Sequence, residues 1–261
     1  MKIGTWNVNS LRVRMPHVLR WIEANQPDVL ALQETKTEDR NFPVNEFERV
    51  GYHAAFSGQP TYNGVALLSR ESPEVIETAL PDFEDAQKRV LLAKYGNIAV
   101  LDLYVPNGQS VDSEKYRYKL DWLAQLDLWM GQLLREHPEL VVLGDLNIAP
   151  EDRDVYDPKA WEGQVLVSEP ERIAFRKLLD HGLRDSFRLH TDGTGHYSWW
   201  DFRTGAFRRN HGLRIDHILL SSPLAERSST TLIDREPRGW ERPSDHTPVM
   251  ATINDSSMHS A

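Results

Sequence analysis

Residues 2–9 read KIGTWNVN and residues 141–147 read VVLGDLN. Each is an apolar strand that stops at an Asn-containing polar turn, and its recurrence predicts two similar halves, each built on a sheet. Outward from these segments, short apolar and β-branched runs alternate with helical patterns. The further strands are DVLALQET (28–35), VGYHAAFS (50–57), GVALLSR (64–70), RVLLAKY (89–95), NIAVLDLYV (97–105), YSWWDF (197–202), LRIDHILLS (213–221) and PVMATI (248–253). Gly96, between Tyr95 and Asn97, predicts a hairpin, so the sheets are mixed rather than parallel throughout.

Three helices stand out. One follows Pro16 and buries Val18, Leu19 and Ile22. A second runs from about Ser113 to Arg135, with Tyr116, Leu120, Leu123, Leu126, Met130 and Leu133 spaced by threes and fours. A third starts at the capping box Ser168–Glu171 and buries Ile173, Leu178 and Leu179. Nothing resembling a linker interrupts the pattern. One α/β domain over residues 1–254 is expected, with two mixed sheets packed face to face inside and helices outside. Residues 149–165 form a long surface loop, and 255–261 a disordered tail.

The 261 residues are 40% hydrophobic and include no cysteine, which removes disulfides, thiolate metal sites and cysteine nucleophiles together. The first residues carry no apolar core of a secretory signal, and no run approaches the ~20 apolar residues of a membrane helix. The expectation is a cytoplasmic protein with no membrane partner, and a monomer, since no helix is marked for a partner. A net charge of −9 argues against coating nucleic acid over the whole surface. One segment runs against that balance: WWDFRTGAFRRNHGLR (199–214) sets Arg203, Arg208, Arg209, His211 and Arg214 among Trp199, Trp200, Phe202 and Phe207.

The polar residues at strand ends carry the chemistry. They are Asn7 and Asn9, Gln33 and Glu34, Tyr104 and Asn107, Asp145 and Asn147, Asp216 inside its apolar strand, and Asp245–His246 before the last strand. Singly, most read as turn or surface residues. Together they matter, because strand termini in layered α/β folds open onto a shared crevice. Two carboxylates ~5 Å apart repel by about 3 kcal/mol at an effective dielectric near 20, so a converging set needs protons, basic partners or a cation. Oxygen donors without cysteine favour a hard ion, Mg²⁺ or Mn²⁺. With an imidazolium, such an ion suits phosphate. Asp245 beside His246 is a pairing that fixes an imidazole's tautomer. No G-x-S-x-G elbow exists for a serine hydrolase, and no H-E-x-x-H, Walker or dinucleotide loop is present.

The strings TWNVNSLR, LQETK, LYVPNG, GDLNIAPEDRDV, SWWDFR, GLRIDHILLS and PSDHTPV, in this order from residue 5 to 249, resemble the exonuclease III/apurinic endonuclease branch of the endonuclease–exonuclease–phosphatase superfamily. The resemblance implies a four-layered α/β sandwich and a metal-dependent DNA phosphodiesterase. Its substrate is duplex DNA, cut 5′ to abasic sites or trimmed at 3′ ends to leave a 3′-hydroxyl. It implies that Glu34, with Asn7 and Asp245, holds Mg²⁺, for which Mn²⁺ can substitute. It implies that Asp145 activates water, that Asn147 positions it, and that Asp245 orients His246 at the phosphate. It implies that Asp216 is a supporting carboxylate or a second-metal ligand, and Tyr104 a phosphate or leaving-group contact. Trp199 or Trp200 is expected to line the pocket, Arg203, Arg208, Arg209 and Arg214 to bind phosphates of the DNA, and Asn107 and Leu213 to lie in the substrate site. Asn9 departs from relatives with Asp there, putting a second metal ligand in doubt. The competing reading is a phosphoesterase of the same superfamily acting on inositol phosphates or lipids; a DNA-binding module without catalysis would lack the site residues found here.

Overall fold

The computed structural model describes residues 1–255; the expected tail otherwise lies outside them. Twelve strands run in chain order: β1 (Lys2–Asn7), β2 (Val29–Gln33), β3 (His53–Ser57), β4 (Val65–Ser69), β5 (Glu74–Glu77), β6 (Val90–Tyr95), β7 (Ile98–Tyr104), β8 (Leu140–Asp145), β9 (Leu183–Asp185), β10 (Asp216–Ser221), β11 (Ser228–Ile233) and β12 (Val249–Ile253). They form two six-stranded mixed sheets, ordered β11-β12-β1-β2-β4-β3 and β5-β6-β7-β8-β10-β9. The helices are α1 (Leu11–Asn25), α2 (Val44–Glu48), α3 (Glu114–Glu136), α4 (Pro158–Trp161), α5 (Glu169–Asp180) and α6 (Ala206–Arg209), followed by one more turn at Ser222–Ala225.

Side-chain alternation along the strands explains the layering. Ile3, Val29, Ala31, Val100, Val141, Leu143, Ile218, Val249 and Ala251 point between the sheets into one cluster. Trp6, Leu30, Leu32 and Leu68 point the other way, onto Leu11, Val18, Trp21 and Ile22 of α1. Leu101, Leu103 and Val142 meet Trp122, Leu126, Met130 and Phe175 of α3 and α5. Three apolar interfaces thus separate four layers: helix, sheet, sheet, helix.

Several elements differ from expectation. α1 begins at Leu11, with Pro16 inside it rather than before it. Ile173 lies on the outer face of α5 and is 43% exposed, while Leu178 is buried as expected. YSWWDF is not a strand: Trp199 makes only isolated bridges, to Leu213 and His246. The segment is wedged across the ends of both sheets, so Ser198 and Trp200 are both buried and no polar–apolar alternation develops. β5, β9 and β11 were not expected; they are short or carry exposed charged and hydroxyl residues. The 149–165 segment contains a helical turn at Asp152–Asp154 and α4, and Asp154 is fully buried.

Candidate active site

The sheet registers build the site. In the second sheet Tyr104 pairs with Asp145, and Asp145 with Asp216, so their side chains form one row on the inward face. In the first sheet Asn7 pairs with Gln33. These rows cap one end of the apolar layer between the sheets, where the strands stop and polar groups replace Val141 and Leu143.

Asn7 joins the sheets. Its Nδ2 donates to Glu34 Oε1 and to Asp145 Oδ2, both at 2.8 Å. Its Oδ1 accepts from the Asn9 N–H at 3.0 Å, which fixes the amide with its nitrogen toward the carboxylates. Asn7 is therefore a donor that holds two acids together, and its oxygen is already committed. Glu34 is half-buried at φ 51°, an unusual left-handed conformation for a non-glycine residue. Hydrogen bonds from Ser10 N to Glu34 O and from Leu11 N to Thr35 O tie this turn to the start of α1. Lys36 Nζ lies 3.2 Å from Glu34 Oε2 and donates to Asn9 Oδ1 at 2.7 Å.

His246 is buried and bridges two acids of the second sheet. Its Nδ1 is 2.8 Å from Asp216 Oδ2 and its Nε2 is 3.6 Å from Asp145 Oδ2. Ser198 Oγ also donates to Asp216 Oδ2, at 2.6 Å. This corrects the expected pairing: the carboxylate that orients His246 is Asp216, not its neighbour Asp245. Asp245 lies at a bend and turns away to accept from Asn9 Nδ2 at 3.1 Å and Trp199 Nε1 at 3.0 Å. Burial pushes the imidazole pKa down, but the facing carboxylates of Asp216 and Asp145 more than offset it, holding it at about 10. Burial pushes Asp145 up to about 7, against the pull of His246. The Tyr104 hydroxyl is held well above its ordinary value by burial and by the nearby Glu34 and Asp145.

Donor atoms of Glu34, Asp145 and His246 lie within 4.8 Å of one another. The two carboxylates are oxygen donors of the kind that suits a hard divalent cation. A His246 that stays protonated and bound to Asp216 has no lone pair to offer, and Asp145 faces that imidazolium, so Glu34 is the better ligand. Asp245 lies outside this cluster.

The sequence matches the Endonuclease/Exonuclease/phosphatase family over residues 4–246. It is 40% identical to exodeoxyribonuclease III of Haemophilus influenzae, covering 96% of this chain and 99% of that one. The chain belongs to the exonuclease III/AP endonuclease family. Among solved structures, this family member is similar to a 3′ phosphatase from Neisseria bound to a product DNA hairpin, with a TM-score of 0.95, 44% identity and coverage of 97% and 99% of the two chains. An AP endonuclease from Archaeoglobus fulgidus gives 0.94, 41%, and 98% and 100%.

The remaining expected residues divide by burial. Asn147 has φ 49° and donates its backbone N–H to Asp145 Oδ1 at 3.0 Å and its Nδ2 to Val105 O at 2.9 Å. Asn107 is exposed and donates to Asn147 Oδ1 at 3.3 Å. Trp199 is half-buried at the mouth. Trp200 and Leu213 are both wholly buried, so neither lines an open surface; Trp200 packs edge-on against Phe207 instead. Arg203 is exposed and bound to Asp201 at 2.8 Å, and Arg208 and Arg209 are exposed on α6. Arg214, expected with them on the DNA face, is buried between Asp154 and Asp185, each at 2.7 Å. Sequence reading missed Arg89, whose guanidinium lies 4.8 Å over the Tyr104 ring, and Ser198; a buried Arg and a buried Ser carry no periodic signal.

Proposed function

We propose that this protein hydrolyses phosphodiester bonds of duplex DNA at abasic sites and 3′ ends with the help of Mg²⁺, leaving a 3′-hydroxyl. The DNA-repair nuclease class follows from the family; the metal, residue roles and preferred lesion are this reading's own content. The observation that carries it is the meeting of an acid, an imidazolium and a second acid across the sheet junction: Asp145, His246 and Asp216, with Asn7 tying Asp145 to Glu34.

Water attacks phosphorus in line, and Asp145, whose proton affinity is raised to near neutrality, accepts the water's proton. His246 remains cationic and offers its Nε2 proton to a non-bridging oxygen, while Asp216 holds the ring through Nδ1. The P–O3′ bond breaks. Tyr104, kept protonated by burial, supplies a hydroxyl donor to the departing oxygen. Asn147 orients the water or phosphate through its side chain. Glu34 would hold a Mg²⁺ that supplies Lewis-acid stabilisation of phosphate charge, leaving Asp145 to the water. Trp199 forms the apolar wall for a sugar that has lost its base, where extrusion costs least.

The test uses end-labelled duplexes: one blunt, one with a single internal abasic site, and one ending in a 3′-phosphate. Each is incubated with Mg²⁺ and with EDTA. Metal-dependent cutting 5′ to the abasic site, or metal-dependent loss of 3′ groups, supports the reading. Three intact duplexes with both Mg²⁺ and Mn²⁺ would refute it.

A further inference from the structure

Lys119 sits in α3 with none of its side chain exposed, in a layer otherwise built from Trp122, Leu123 and Leu126. Its ammonium has three protons and three acceptors. Nζ donates to Asn107 O at 3.1 Å, to Asn147 O at 2.6 Å, and to Glu171 Oε1. The two carbonyls belong to the turns that follow β7 and β8. Side chains of the same two asparagines meet above, through Asn107 Nδ2 and Asn147 Oδ1. The turns are thus joined twice, once at the mouth by amides and once from below by one cation.

Glu171 extends the link. Its Oε1 also accepts from Leu166 N at 3.0 Å and its Oε2 from Ser168 N at 3.2 Å, so the end of the 149–165 segment is anchored to the same pair. The chain also passes very close above the lysine stem. Gly108 lies at φ +93°, and a Cβ there would stand 3.1 Å from Lys119 Cδ. An apolar side chain at 119 would pack against the same neighbours but leave two inward-facing carbonyls without a donor and a buried carboxylate without its cation.

We propose that Lys119 is a positioning residue for the reaction: its ammonium fixes the spacing of the Asn107 and Asn147 turns, and with it the placement of the Asn147 side chain. This rests on the reading of Asn147 given under Proposed function. Lys119 touches no substrate; it acts through backbone carbonyls.

The experiment compares single-turnover incision of an abasic duplex with Mg²⁺ by wild type, Lys119→Arg, Lys119→Met/Glu171→Gln, Asn147→Ala, and the triple combination. Pairing Lys119→Met with Glu171→Gln removes the cation without leaving a lone buried anion, so the variant remains foldable; near-UV circular dichroism and Tm confirm it. The expected result is a loss of kcat of about 10-fold or more with KM within about 2-fold, partial recovery in Lys119→Arg, and little further loss when the pair is changed in an Asn147→Ala background. A folded double variant with wild-type kcat well below its Tm would overturn the proposal and leave Lys119 as packing. Fully additive losses would overturn the route through Asn147. An Asn147→Ala variant with wild-type kcat would sink the reading of Asn147 itself, a distinct failure from that of the lysine.

Discussion

His246 is held by Asp216, 30 residues away in sequence and 2.8 Å away in space, while Asp245 at its side faces Asn9 and Trp199. The two aspartates therefore make different contributions. Asp216→Asn removes the charge that keeps the imidazole protonated and oriented, and incision should fall by about 10²-fold or more, the scale of a positioned proton donor. Asp245→Asn should cost far less in rate and act mainly through Trp199. Steady-state kinetics on an abasic duplex separates them; equal losses would contradict the assignment.

The same hydrogen bond sets a pH dependence. His246 is raised in the fold to about 10 from an ordinary 6.5. A base whose pKa is raised on folding contributes stability that is complete below 6.5 and is lost as pH rises through the folded value. In metal-free protein, the His246 ring should stay protonated at pH 8 by NMR, and Asp216→Asn should bring its titration down toward neutrality. A wild-type ring that deprotonates near pH 6.5 would show that the acids do not hold it.

Glu34 contacts Asn7, Lys36 and Tyr104, none of them a carboxylate, so replacing it removes the proposed ligand without freeing a buried charge. Glu34→Gln should raise the Mg²⁺ concentration for half-maximal activity by at least the ~10–100-fold that losing even an outer-shell partner costs. Titrating Mg²⁺ against incision rate measures it. An unchanged midpoint would move the metal elsewhere.

The layered fold was legible because VLAL and VVLG carry the near-continuous apolar pattern of strands buried on both faces, and because Ser113 and Ser168 cap their helices as polar residues before apolar periodicity should. Less legible was anything decided by the other sheet. The choice between Asp216 and Asp245 as partner of His246 depends on which way side chains project where two sheets meet, and adjacency in sequence points to the wrong one. Arg214 sits among exposed arginines in sequence and reads as another; only Asp154 and Asp185, from distant segments, draw it inside. Lys119 reads as a solvated helix position, since its buried acceptors are backbone carbonyls that no residue type announces.

Arg208 and Arg209 are exposed, whereas Arg214 is sealed in a buried ion cluster, so the three should separate by assay. Arg208→Ala/Arg209→Ala should weaken DNA binding and flatten its logarithmic salt dependence by about 0.9 for each phosphate no longer neutralised. Arg214→Ala should leave that slope alone and cost about 3–5 kcal/mol of stability, by leaving the buried Asp185 without its arginine and Asp154 with Arg188 alone. Binding isotherms from 50 to 200 mM salt and urea unfolding check both halves. A slope unchanged by removal of Arg208 and Arg209 would take them off the DNA face.

His217 is fully buried, with Nε2 donating to Ile148 O at 2.8 Å and Nδ1 accepting from Arg214 at 3.1 Å. Burial and the Arg214 charge push it down to about 4. Between pH 6.5 and 4 the unfolded chain binds a proton that the fold refuses, so stability falls as pH falls, by up to about 1.4 kcal/mol per unit. Above 6.5 the effect vanishes. Urea unfolding of wild type against His217→Gln at pH 7, 6 and 5 should show the wild type losing stability faster; parallel curves would rule the histidine out.

The most direct test is single-turnover incision of a duplex with one internal abasic site by wild type, Asp145→Ala and His246→Ala, all verified as folded, with Mg²⁺ and with EDTA. The expected result is a cut 5′ to the abasic site by wild type with Mg²⁺ alone, leaving a 3′-hydroxyl, and losses of at least about 10²-fold in both variants. Cleavage that persists in EDTA, or an Asp145→Ala variant that cuts at the wild-type rate, would contradict it.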